Sequence, residues 1–137
     1  MTTTASDFLS RGGVSLAAIG DALPNVDSDR VLVRPVPWWL RILWRPWVQG
    51  MATSSKIYIR AHRLAHPERS TSLVVHELVH IAQWRRLGRL RFGTRYVREA
   101  ISGLIRFRNS RKAHDNISFE IEADLITDQI LQRPGPR

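Results

Sequence analysis

Between Leu73 and Leu87 apolar residues crowd every face of the chain. Val74, Val75, Leu78, Val79, Ile81, Ala82 and Trp84 are broken only by His76, Glu77, His80, Gln83 and two arginines. A helix that is apolar nearly all round is a buried helix. Pro67 to Ser72 (PERSTS) supplies helix-start chemistry, with Ser70, Thr71 or Ser72 able to cap. Gly88 supplies a stop. Just upstream, Lys56 to Arg60 (KIYIR) alternates loosely around Ile57, Tyr58 and Ile59, which predicts a strand. Val31 to Pro37 can hold a further short strand, limited by Pro35 and Pro37.

Downstream the period stays helical. Ile101, Leu104 and Ile105 share a face while Arg95, Arg98 and Arg106 turn elsewhere, which predicts a helix over 94–107. Residues 109–116 are polar and read as a loop. A third helix is expected from Ser118 to about Gln132, started by a loose capping pattern at Ser118, with Pro134 and Pro136 closing the chain. Residues 1–30 are weakly patterned and expected to be weakly ordered, with a turn-rich link at 24–29. Strands and helices together give an α+β pattern.

Composition narrows this picture. The 137 residues suffice for one domain with a modest core, and 43% of them are hydrophobic. There is no cysteine, so disulfides, thiolate metal sites and thiol nucleophiles are excluded. No apolar run is long enough to cross a bilayer. Val14 to Leu23 is short, contains Asp21 and follows a segment whose Arg11 is offset by Asp7. That makes a poor export signal and a cytoplasmic location is expected. The net charge of +9 is almost wholly arginine, the lysines being Lys56 and Lys112. Such charge suits an anionic partner, but no nucleic-acid motif accompanies it.

Trp38 to Trp47 (WWLRILWRPW) places four tryptophans among Arg41 and Arg45. The preferred reading is a short helix whose aromatics cap the core, ended by Pro46. The other is an interfacial segment making peripheral contact with a membrane.

The chemistry lies in the buried helix. Positions four apart sit about 40° from one another on a helix, so His76 and His80 present their rings side by side. Two such imidazoles can grip one zinc ion. Glu77 lies about 100° round from His76, near a metal without pointing at it, and can take a proton from water. Zinc needs a third protein ligand. A third histidine six residues after His80 is ruled out, because that position is Arg86. Phe119 to Asp124 (FEIEAD) offers a carboxylate instead. Glu120 and Asp124 share a face, so Glu120 can bind the metal while Asp124 accepts the ring N–H of His76. Glu122 is a rival ligand, though it points away from Asp124 and suits a surface ion pair better.

The motifs His76-Glu77-Leu78-Val79-His80 and Glu120-Ile121-Glu122-Ala123-Asp124 resemble those of the gluzincin zinc metallopeptidases, especially the small single-domain members called minigluzincins. The resemblance spans roughly residues 50–132. It implies a zincin-like α+β fold, in which a small antiparallel or mixed sheet with an edge strand packs on the HEXXH helix and a later glutamate-bearing helix. It implies zinc held by His76, His80 and Glu120, with Glu77 as general base. It also implies a peptide or protein substrate lying along the edge strand near Lys56–Arg60. An oxyanion donor is expected among Tyr58, Tyr96 and His114, with Tyr96 preferred. The expected activity is zinc metalloendopeptidase. The alternatives are a non-catalytic zincin-like binding module, and a basic binder of membrane surfaces or nucleic acid.

Overall fold

The computed structural model describes residues 2–132. It is an α+β protein, mostly helical, with one small mixed sheet. The strands are β1 (Thr3–Thr4), β2 (Leu32–Pro35), β3 (Gly50–Ala52) and β4 (Lys56–Ile59), in the order β1-β2-β4-β3. β2 runs parallel to β4, with Val33 opposite Ile57, while β1 and β3 flank them antiparallel. Ile57 and Ile59 alternate with half-buried Lys56 and Tyr58, the two-residue period of a strand with one face on the core. KIYIR is therefore an inner strand, paired on both sides. The sheet edge nearest the long helix belongs to β3, which the sequence did not reveal because three residues, one of them glycine, carry no strand pattern.

The N-terminal segment is ordered, contrary to expectation. Residues Ala5–Arg11 form α1, capped by Thr4, and Leu16–Ala22 form α2, capped by Ser15. Phe8 and Leu9 are fully buried, and Ile19 and Leu23 nearly so. Three or four apolar side chains per helix make too short a period to read, yet they suffice to dock on a core.

Short helix α3 (Trp38–Arg41) does not cap the core: Trp38 and Trp39 are exposed, as are Ile42 and Leu43 after it. The single turn α4 (Ala61–Leu64) leads into α5 (Pro67–Leu87). α5 begins earlier than Ser70 because Pro67, preset for helical φ, takes the first turn. Ser70 and Thr71 are buried within it, and Ser70 donates to the Arg63 carbonyl at 2.9 Å. Gly88 ends α5 at φ 80°, a region that favours glycine. α6 (Arg89–Phe107) starts at once, its first turn anchored by buried Phe92 against Trp84 and Phe119.

The expected loop 109–116 contains α7 (Ser110–Asp115). The Asn109 side chain accepts from the Lys112 N–H at 3.1 Å, and Ala113 packs on Gly103 of α6. A Cβ on Gly103 would lie 3.0 Å from both Cα and Cβ of Ala113. α8 (Ser118–Ile130) takes its cap from another helix: Glu99 accepts from Ser118 N–H at 2.6 Å and from Ser118 Oγ at 2.8 Å. That long-range cap explains why only a loose local pattern was visible. The core joins α1, β2, β4, α5 and α8, and a second cluster of Phe92, Ile117 and Phe119 sits under α6. Pro134 and Pro136 lie outside the described residues.

Candidate metal centre

α5 and α8 pack against each other along the face of α5 that carries His76, His80 and Gln83, with Ala123 of α8 fully buried. Small Ala123 lets the helices approach closely, which brings Glu120 over the two histidines. Glu120 Oε2 lies 2.8 Å from His76 Nε2 and 3.2 Å from His80 Nε2, and the two nitrogens are 3.1 Å apart. The three side chains form a group able to hold a metal ion.

The outer hydrogen bonds decide what faces the centre of that triangle. His76 Nδ1 lies 2.9 Å from Asp124 Oδ1. His80 Nδ1 lies 2.7 Å from Gln83 Oε1. Both oxygens only accept, so each ring carries a hydrogen on Nδ1. In the neutral rings both Nε2 atoms are then lone pairs. Two nitrogen lone pairs and a carboxylate oxygen converge with no neutral donor between them, an arrangement that calls for a cation. A tetrahedral site with bonds of about 2.0–2.1 Å has edges of about 3.3 Å. The observed 2.8, 3.1 and 3.2 Å need only a slight opening.

Without a metal, protons fill the gap. Burial alone would lower the His80 pKa, but the Glu120 carboxylate outweighs it, with help from Glu77, and holds the ring at about 9. Burial would raise the Glu120 pKa, but hydrogen bonds from His114, His76 and His80 push it far below the usual carboxylate range. Glu77 is shifted upward, first by its own burial, despite the nearby imidazoles.

The supports of the two rings differ in strength. Asp124 is largely exposed at the rim, where solvent screens its bond to His76. Gln83 is buried, and its amide group also donates to the Phe119 carbonyl at 2.9 Å and to Glu122 Oε2 at 3.1 Å. Glu122 in turn takes two bonds from Arg86, at 3.0 and 3.1 Å. Glu122 is thus remote from the triangle, in the ion pair its helical direction suggested. Gln83 carried no functional expectation from the sequence. Its spacing three residues after His80 was the available signal, since such pairs share a helix face.

Glu120 Oε1 points the other way and is held by Tyr96 O–H at 2.8 Å and by His114 Nε2 at 3.0 Å. Both line the same cleft of about 1250 Å³ as His76, Glu77 and His80. Tyr58, the third oxyanion possibility, does not; it sits mid-strand opposite Arg34 and Met51. His114 comes from α7, packs on Trp47 at 5.0 Å, and had no motif to mark it.

Gly50 of edge strand β3 completes the site. A Cβ there would lie 3.0 Å from Glu77 Oε1 and 3.1 Å from Leu73 Cδ1. Any Cβ here would crowd the Glu77 carboxylate, and no sequence signal identified the glycine. No residue of 2–30 lines the cleft. Comparison with family models, with curated proteins and with solved structures returned no match.

Proposed function

We propose that this protein is a zinc-dependent metallopeptidase with a zincin-like fold. The observation that carries the reading is the convergence of His76 Nε2, His80 Nε2 and Glu120 Oε2 on one point, beside a buried Glu77, in a cleft. Two imidazoles and a carboxylate suit zinc, and no thiolate is available to favour a softer ion. Bound zinc would supply Lewis acidity and a water acidic enough to yield a nucleophile near neutral pH.

The chain's own residues do the rest. Glu77, in the second position of the motif, accepts the proton of the attacking water and passes it to the leaving amine. Its burial raises its proton affinity, which suits a group that must hold a proton briefly. Gln83 and Asp124 fix the tautomers of His80 and His76 so that both Nε2 atoms face inward. Tyr96 or His114 need only hold Oε1 singly, which leaves the other to donate to a developing oxyanion. We assign that role to Tyr96. Among the described strands β3 has one unpaired edge, so an extended peptide could add to it through Gly50–Ala52 and pass Glu77. On this reading the substrate lies beside β3 rather than beside Lys56–Arg60, because β4 is paired on both sides.

The test is hydrolysis of a peptide library by zinc-loaded protein. Glu77→Gln keeps zinc and loses turnover, whereas His80→Ala and Glu120→Ala lose the metal. Tyr96→Phe lowers kcat with zinc retained. One observation favours a second reading: Tyr96 and His114 are both already bonded to Glu120, so neither is free to donate as the structure stands. In a zinc-binding module without catalysis, wild type and Glu77→Gln would be equally inert with metal fully bound.

A further inference from the structure

Among the described residues, α6 carries an exposed apolar stripe. Leu90, Val97, Ile101, Leu104 and Ile105 recur at helical spacing, and Leu90 and Ile105 are 83% and 75% exposed. The helix bears Arg89, Arg91, Arg95, Arg98 and Arg106 against a single acid, Glu99, which is occupied by Arg95 and Ser118. A second uncovered apolar surface lies alongside. Trp38 and Ile42 are 71% and 73% exposed, with Arg41 and Arg45 interleaved and no acidic residue from 30 to 67. The two adjoin. Val97 shares the cleft wall with Leu43 and Trp44, and Leu104 shares a smaller hollow with Arg45, Trp47, Arg108 and Lys112.

We propose that α6 and the 38–47 segment together form a docking surface for an anionic lipid bilayer, lying in the interface rather than crossing it. Apolar patches of this extent on a soluble surface mark an interaction site. Exposed tryptophan beside arginine is the chemistry of the headgroup level, and a basic amphipathic helix is the corresponding backbone element. The charge is complementary: the chain is +9 overall, and the arginines flank both apolar surfaces. No described helix is long and apolar enough to cross a membrane, so insertion is shallow. The surface borders the cleft mouth but uses none of the metal-holding residues, so docking is independent of zinc.

The experiment is flotation of the full chain with vesicles of phosphatidylcholine alone and of phosphatidylcholine with one quarter phosphatidylglycerol. Intrinsic tryptophan fluorescence is recorded in parallel. Binding to the anionic vesicles, with a blue shift, is expected at 50 mM salt, together with partial retention at 500 mM, since only the charged part is screened. Trp39→Ala and Ile105→Asn, which lie outside the cleft wall, each weaken binding about tenfold or more while zinc stoichiometry is unchanged. No binding to anionic vesicles at low salt overturns the proposal. So does binding that both variants leave intact, or a stable dimer or DNA complex formed through this face without vesicle binding.

Discussion

Replacing Gln83 with leucine isolates the link that aims the His80 ring. Gln83 is 2% exposed and makes three hydrogen bonds, to His80 Nδ1, the Phe119 carbonyl and Glu122. Leucine fills similar space but leaves the His80 N–H unpaired in the interior, while the Phe119 oxygen keeps its partner within α8. The orphaned N–H costs about 1–3 kcal/mol, and burial of the apolar side chain returns about 1.5–3 kcal/mol. The two terms nearly cancel, so the stability of the metal-free protein changes by less than about 2 kcal/mol. Zinc binding suffers separately: with no acceptor on Nδ1 the ring loses its tautomer and orientation, which weakens metal affinity roughly 10–100-fold, or about 1.4–2.8 kcal/mol. Competition with a chromogenic zinc chelator measures the second quantity, and urea denaturation of metal-free protein the first. Asp124→Asn, at the exposed end of the other ring, serves as comparison and weakens zinc less. If Gln83→Leu binds zinc within twofold of wild type while unfolding more easily, Gln83 merely packs and the proposed orientation of His80 is wrong.

Three further outcomes follow from the same geometry. Gly50→Ala drives a methyl to 3.0 Å from Glu77 Oε1; peptide turnover falls at least tenfold with zinc affinity unchanged, and equal turnover would show that the β3 approach is irrelevant. Glu99→Gln removes the charged cap of α8 and costs about 1 kcal/mol by thermal denaturation. Burial opposes ionisation of Glu99, but bonds from Ser118 and Arg95 hold its folded pKa below the ordinary 4.5. The wild-type advantage is therefore full above that pH and fades as pH falls through the folded value, whereas a difference that grows on acidification would contradict the cap. Deleting residues 1–30 removes Phe8, Leu9, Ile19 and Leu23 from the core, about 6–12 kcal/mol of burial and comparable to a whole domain's stability. Circular dichroism should show loss of structure, and a folded truncation with raised hydrolysis would instead reveal an inhibitory segment.

The long helix with its motif, the strand before it and the glutamate helix were legible because each states its structure locally. α5 is apolar all round, Ile57 and Ile59 alternate, and Gly88 stops the helix. The placement of Glu120 over His76 and His80 could be framed from helix periodicity alone, since both motifs present their groups on one face. What stayed hidden depends on contacts between distant segments. α7 exists because Asn109 caps it and Ala113 fits against Gly103, and only that packing carries His114 to Glu120. The α8 cap resides on α6. The edge strand is β3 and not KIYIR because pairing partners, not propensity, decide which strand is outermost. The tryptophans were expected inward on hydrophobicity, yet Trp38 and Trp39 stay out.

The most direct test is a crystal structure of protein loaded with one equivalent of zinc, with anomalous data at the zinc edge. A single strong peak bonded to His76 Nε2, His80 Nε2 and Glu120 Oε2, with Glu77 beside but not on the metal, is the predicted result. A peak elsewhere, or coordination in which Glu122 or Glu77 replaces Glu120, would contradict it.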